Sequence, residues 1–404
     1  MSNAFMEMMK AAAAGTQGRG EQQLPSVVRI AADSSGEIKH VSANGTTALD
    51  PSSPPMTPDS IFHLASCTKL VTSIAVLQCV EKGLLSLDDD ISTILPEWSN
   101  REILTGFNEE TGEPMLQKSE EKLTLKHLLT HSSGMAYDII IPALMQWWKW
   151  KGEDSNQYEG IIAKAYQQPL VFAPGSSWCY GPGIDWAGVM VCRVTNSSLS
   201  AYMQTNIFSP LDITSAAFRA SDLPKESQGS GLVTMACRTP SGELVPCPPV
   251  RNPNPQDDLG GGGLYMSATD YIKILISLLR DDGKLLQPST LAELFNPHLS
   301  PEAKETLTGV LSPSFPPGTM MRSGVDGKEW NHSLGGLLNM EDVDGMCKCG
   351  TLSWSGIQHL FWWVDPQAGI CGLYASQLMP PNDETTLKDA VEFRKDMYQK
   401  FGKK

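Results

Sequence analysis

The chain has 404 residues, 41% hydrophobic and 19% charged, the make-up of an ordinary soluble globular protein and enough for one large two-lobed domain. A formal net charge of −14 argues against nucleic acid and anionic membrane surfaces, since both are bound through basic patches. No apolar run reaches the length of a membrane span, and nine scattered cysteines suit free thiols in a reducing, cytoplasmic setting.

The first twenty residues are rich in Met and Ala and lack a basic start followed by an apolar core, so no secretory signal or transit peptide is expected there. Val27 to Ala32 and Ile38 to Val41 are short β-branched runs around Asp33-Ser34-Ser35-Gly36, which predicts a hairpin. Leu64-Ala65-Ser66-Cys67-Thr68-Lys69-Leu70-Val71 opens a helix expected to run to about Lys82, with Gly83 as its end. Residues three apart share a helix face, so the Lys69 ammonium can reach the Ser66 hydroxyl. A lysine in an apolar setting loses some preference for its charge and can activate a serine. Ser66 is therefore either a nucleophile or a buried capping serine. The same spacing recurs at Ser119-Glu120-Glu121-Lys122, where two interior glutamates predict a solvated helix start with a charged lysine.

A middle region begins at Leu87-Asp88-Asp89-Asp90 and alternates helical stretches with polar loops. His127 and His131 fall on one helix face near a helix end, which points to capping and packing. Trp147 and Trp148, with Trp150 beside them, either line a pocket for an apolar group or form core. Tyr137 is a further candidate for contact with substrate. Tyr180 lies in the loop Pro174-Gly175-Ser176-Ser177-Trp178-Cys179-Tyr180-Gly181-Pro182-Gly183. Its hydroxyl can relay a proton if a cation stabilises the phenolate, or its ring can simply pack.

Gly260 to Gly263 form a loop of free backbone geometry but no phosphate loop, since no Gly-Lys-Ser/Thr follows. Ser267-Ala268-Thr269-Asp270 reads as a capping box before an apolar helix, Tyr271 to Leu279. Cys347-x-Cys349 has no second pair nearby, so no zinc site is expected. Trp354-Ser355-Gly356-Ile357 is expected to begin a strand running to Val364. A strand beside a nucleophile can offer one N–H of an oxyanion hole, with the Ser66 N–H as the other, and Gly356 would let an acyl group approach. An ordinary strand start is the alternative. Ile370 to Ala375 predicts a second buried strand, and Leu387 to Phe401 an amphipathic helix. Strands at both ends with helices between predict one sheet from residues 1–85 and 265–404, flanked by helices, with a mostly helical lobe inserted over 86–264.

In this order, Ser66-x-x-Lys69, Tyr180, the glycine loop and Trp354-Ser355-Gly356 resemble the serine β-lactamase-related family of the class C and carboxylesterase type. His127-Leu128-Leu129-Thr130-His131-Ser132-Ser133-Gly134 and Leu87-Asp88-Asp89-Asp90 add to the likeness, which covers nearly the whole chain from about Ser26. Leu64-Ala65-Ser66-x-Thr68-Lys69-Leu70, Tyr180-Gly181, Asp185-Trp186-Ala187-Gly188 and Gln377-Leu378-x-Pro380-x-Asn382-Asp383 are similar to its fungal side-chain acyltransferases. The resemblance implies an α/β (α+β) fold of the β-lactamase/transpeptidase type with an antiparallel sheet. It implies Ser66 as nucleophile, Lys69 as base or proton partner, Tyr180 as a second proton shuttle, and the N–H groups of Ser66 and Ile357 as the oxyanion hole. Tyr137, Trp147, Trp148, Trp354, Ser355 and Gly356 become the expected substrate contacts.

The departures matter as much. Where β-lactamases of this family carry Tyr-Ser-Asn and Lys-Thr-Gly, this chain has Tyr180-Gly181-Pro182 and Trp354-Ser355-Gly356. The missing lysine and asparagine argue against β-lactam hydrolysis and fit esters or thioesters with an apolar acyl group. A pocket tryptophan of the acyltransferases is Pro381 here, so the acyl group or acceptor is expected to differ. The implied activity is serine-dependent acyl transfer of secondary metabolism, from an ester or thioester donor to a small-molecule alcohol or amine. Donors include small thioesters and a carrier-protein thioester, although the acidic chain does not favour docking an acidic carrier. The alternatives are a carboxylesterase or lactone hydrolase using the same acyl-enzyme, and a non-catalytic binding protein on this fold. No metal or organic cofactor is implied.

Overall fold

The computed structural model describes residues 26–155, 157–225, 231–311 and 329–403. Its main sheet has seven strands drawn from both ends of the chain. The N-terminal part supplies β1 (Val27–Asp33) and β2 (Ile38–Asn44), and β3 (Ile61–His63) pairs with β4 (Tyr265–Ser267) outside that sheet. The C-terminal part supplies β5 (Trp330–His332), β6 (Leu337–Asn339), β7 (Leu352–Gly356), β8 (Leu360–Asp365) and β9 (Ile370–Ser376). The order across the main sheet is β2-β1-β9-β8-β7-β6-β5, antiparallel throughout. The two chain ends meet at β1–β9, where Ile30 lies opposite Leu373.

Alternate residues of a strand face opposite sides. Val28, Ile30 and Ala32 of β1, with Leu360, Trp362 and Val364 of β8, face the large core under α1 (Thr68–Glu81) and α3 (Ala268–Arg280). Val27, Ala31, Phe361, Trp363 and Tyr374 face the other way, onto Ala390, Phe393 and Met397 of α4 (Glu384–Phe401). Every residue of α1 from Thr68 to Cys79 is buried. A helix apolar on all sides belongs in a protein interior, and this one carries Lys69 in with it.

Between residues 86 and 264 lie α2 (Gly183–Thr195), several shorter helices and two hairpins. One hairpin pairs Glu102–Phe107 with Pro114–Lys118. The other pairs Ala236–Arg238 with Leu244–Pro246 and is extended by Leu378–Met379. Three local expectations change. Trp354 does not begin a strand running to Val364: Trp354 to Gly356 end β7, and Ile357-Gln358-His359 turn back into β8, with His359 left-handed at φ 64°. Ser119 starts no helix; it is buried on a loop after a strand and bonds Glu121 at 3.3 Å. Ser267 caps α3 by accepting from the Asp270 N–H at 3.2 Å, but Asp270 accepts from the Thr214 and Ser215 N–H groups instead of returning the bond. Among the described residues no helix is long and apolar enough to cross a membrane.

Candidate active site

Ser66 sits in a one-turn 3-10 segment, Ala65–Cys67, that links β3 to α1. Ala65 has a φ of 45°, a left-handed conformation that a residue with a Cβ adopts only under constraint. The constraint comes from backbone clamps. Leu64 N–H donates to the Leu264 carbonyl at 2.8 Å, and Leu264 N–H donates to the Thr68 hydroxyl at 3.1 Å. From the other side Gly356 presses so closely that a Cβ there would lie 2.7 Å from the Leu64 carbonyl oxygen. The glycine at the end of β7 thus admits the chain's own backbone, where the sequence suggested an acyl group.

Tyr180 is buried, and its hydroxyl donates to Ser66 Oγ at 2.6 Å. Its ring is boxed by His131 at 4.8 Å, Tyr137 at 5.4 Å and Trp354 at 5.5 Å, all tilted or edge-on. The loop carrying it is pinned by Tyr137 N–H donating to the Tyr180 carbonyl at 3.3 Å. Gly181 follows because a Cβ there would meet the Met135 carbonyl oxygen at 2.1 Å. A serine at that position has no room, which accounts physically for one departure from the β-lactamase pattern.

Lys69 is buried beneath this pair. Its ammonium donates to the Gly261 carbonyl at 2.5 Å and the Tyr137 hydroxyl at 3.4 Å, and lies 4.8 Å from the Tyr180 ring centroid. Its hydrogen bonds therefore go to groups flanking Ser66 rather than to Ser66 itself. Burial, reinforced by the negative charge of Asp185, holds the Tyr137 phenol well above its ordinary pKa, so it stays a neutral hydroxyl. Behind the lysine, Asp185 of α2 accepts the Gly261 N–H at 2.9 Å. The Gly261 peptide thus links a buried carboxylate to the ammonium. Gly261 must be glycine there, since a Cβ would fall 2.2 Å from Asp185 Oδ2. Burial pushes the Asp185 carboxyl up, while Lys69 and Arg251 pull it back.

His127 closes the capping box of the helix Leu125–Leu129 with Thr124. His131 lies beyond that helix in the left-handed region, φ 58°, its ring stacked 5.9 Å from Trp354. Burial, then the neighbouring His332 and Lys69, hold it well below the ordinary histidine pKa, so it stays neutral.

Ser66 and Tyr180 open onto a cavity of about 620 Å³, counting the space at its mouth. Tyr137 and Ile357 also line it, as do Ile139, Gln157, Tyr158, Val250, Arg251, Gly261 and Gly262. Among the expected substrate contacts, Trp354 stands one layer back, against the Tyr180 ring, and Ser355 and Gly356 are buried in β7 outside the cavity wall. Trp147 and Trp148 are placed elsewhere. They pack edge-on at 4.8 Å in an apolar cluster with Leu104, Ala136 and Leu144, and Trp148 Nε1 donates to Gln168 at 2.8 Å. Of their two readings the structure takes core, because their helix, Pro142–Lys151, turns its apolar side to that cluster. Pro381 is likewise absent from the cavity wall.

Sequence reasoning missed Arg251, Gln157 and Tyr158 in the wall, and Asp185 behind the lysine. The four-glycine run did signal a close backbone approach; nothing around Arg251, in a proline-rich segment, marked it.

The sheet, the buried Ser66–Lys69 turn and the facing tyrosine define a serine-enzyme architecture on the β-lactamase/transpeptidase-like fold. The chain belongs to the β-lactamase family, whose model matches residues 8–395. A lovastatin esterase of Penicillium rubens is 38% identical over 93% of this chain and 94% of its own. A monacolin J acid methylbutanoyltransferase of Aspergillus terreus is 34% identical over 94% and 93%. The unliganded simvastatin synthase of Aspergillus terreus superposes with a TM-score of 0.86 at 31% identity, covering 98% of each chain. The chain is an enzyme of this kind, an acyltransferase or esterase on the β-lactamase fold.

Proposed function

We propose that this enzyme moves an acyl group from an ester or thioester donor to a small-molecule alcohol by a ping-pong route through acyl-Ser66. The carrying observation is the 2.6 Å contact between the Tyr180 hydroxyl and Ser66 Oγ, with the Lys69 ammonium against the same ring. In the first half-reaction Ser66 Oγ attacks the acyl carbon; the Tyr180 oxygen takes the Ser66 proton while the Tyr180 hydroxyl passes its own toward the leaving oxygen or sulfur. Lys69, against the same ring, stabilises the negative charge that develops on the phenol oxygen during this relay. The N–H groups of Ser66 and Ile357 receive the oxyanion. The bond to that oxygen or sulfur breaks, and it leaves as a neutral alcohol or thiol. In the second half the acceptor hydroxyl gives its proton to Tyr180 and attacks the acyl carbon, and Tyr180 then reprotonates the departing Ser66 oxygen.

The relatives' names support short branched acyl groups, such as methylbutanoyl, and polyketide acceptors of the statin type. Donors would be small thioesters before carrier-bound ones, given the net charge of −14. The reading suits an enzyme of the cytoplasm, with residues 1–85 and 265–404 as one lobe and 86–264 as the other.

Hydrolysis is the second reading, favoured by the likeness to the lovastatin esterase. It uses the same acyl-enzyme with water as acceptor. Initial rates with varied thioester and alcohol separate the two. Parallel double-reciprocal lines, and product that shifts from acid to ester as alcohol rises, support transfer. Acid formation that no alcohol diminishes makes the enzyme an esterase.

A further inference from the structure

Among the described residues, Arg251 is the one cation that lines the cavity holding Ser66. Its Nη1 donates to the Tyr166 hydroxyl at 2.7 Å, and its guanidinium carbon lies 6.0 Å from the Tyr137 ring centroid. Among the described residues no carboxylate lies within ion-pair distance of it. A guanidinium carries five N–H donors in a rigid fork, and Tyr166 takes one. Gly262 stands beside it, where a Cβ would lie 3.8 Å from Nε, and both residues line the cavity. Ala65, Ile139, Val250 and Ile357 give the cavity apolar wall, and Ser66, Tyr137, Gln157, Tyr158 and Tyr180 give it uncharged polar groups, so no described side chain of the wall brings a negative charge.

The remaining charges favour keeping this cation available. His63, buried behind the wall, is pushed down to about 4 by burial and then by Arg251, and stays neutral. Asp185, the carboxylate that acts on Arg251 from a distance, already binds the Gly261 N–H that supports Lys69. A charged fork in a cavity whose described wall holds no carboxylate is suited to a carboxylate brought by a ligand.

We propose that Arg251 is a specificity-determining residue that binds a free carboxylate on the acceptor or on the ester being cleaved, oriented by Tyr166, so that the enzyme selects the open acid over its lactone or methyl ester. This rests on the assignment of Ser66 as the reacting residue. The position differs from the strand lysine of β-lactamases, which is absent here: the cation is carried by the loop after the Ala236–Pro246 hairpin.

The test compares a hydroxy acid with its own methyl ester as acyl acceptor for wild type, Arg251→Gln and Arg251→Lys. The expected result is an acid-over-ester preference in kcat/KM that falls about tenfold or more in Arg251→Gln, through KM, with partial recovery in Arg251→Lys. Equal losses for acid and ester, or an unchanged preference, overturn the proposal. Titration of the same acid into Ser66→Ala protein, with and without Arg251→Gln, reads the carboxylate site without chemistry, so a wrong nucleophile and a wrong carboxylate site give different outcomes. The thermal midpoint of each variant shows whether it folds. Binding to Ser66→Ala that survives Arg251→Gln in folded protein also overturns it.

Discussion

The chain carries Ser-x-x-Lys twice, and the two copies end in opposite environments. At Ser66 the turn leads into a helix buried on every side, so Lys69 is drawn under the cavity floor and bound by a carbonyl and a phenol. At Ser119 a strand precedes, no helix starts there, the hydroxyl bonds its neighbour Glu121, and Lys122 is exposed. The same three-residue spacing produces a reactive corner only where an apolar helix takes the lysine out of water. What separates the copies is the burial of the lysine and the tyrosine supplied from 114 residues away.

The contrast can be broken hardest at the serines. Ser66→Ala should lower acyl-transfer kcat by at least about 10⁴-fold, while Ser119→Ala stays within about twofold. At the proton-handling groups, Tyr180→Phe and Lys69→Met should each cost on the order of 10²–10⁴-fold in kcat, and Lys122→Met nothing measurable. A Tyr180→Phe enzyme as fast as wild type would remove the phenol from the mechanism. Stability sharpens the comparison next. Gly261→Ala places a methyl against the Asp185 carboxylate and should destabilise by about 2 kcal/mol or more, read from urea midpoints, with loss of activity. Trp148→Phe should cost about 1 kcal/mol through its lost bond to Gln168, yet leave KM unchanged, since the residue is core.

Acid tests the buried histidines. His63 and His332 are both pushed down to about 4, by burial first. Their unfolded value is about 6.5, so the unfolded chain binds more protons between the two values. Stability is then complete above pH 6.5 and falls as pH drops toward 4, by a few kcal/mol for the pair. Urea midpoints at pH 7 and 5 check the sign, and His332→Asn should flatten the drop.

Much of the fold was legible because the strands at both ends are strongly patterned. Leu360 to Val364 and Ile370 to Ala375 read as buried strands from their composition alone. The turn at Ile357 to His359 was not, because Ile357 is apolar and the left-handed residue is His359 rather than a glycine, so β7 and β8 look like one continuing strand. Ser66, Tyr180, Tyr137 and Ile357 were named from sequence and line one cavity, with Lys69, also named, buried beneath it. The tryptophans did not converge there, since an amphipathic helix does not state which apolar surface it will meet. Asp185 was visible only within Asp185-Trp186-Ala187-Gly188, with no role attached, and Arg251 left no local signal: their roles exist only once distant loops pack.

The most direct test of the central claim is the mass of the intact protein after exposure to an activated acyl thioester. Wild type should gain one acyl unit, mapped to the peptide containing Ser66, and lose it when alcohol is added, while Ser66→Ala stays unmodified. An adduct of equal extent on Ser66→Ala, or one mapped to a cysteine or to Ser119, contradicts it.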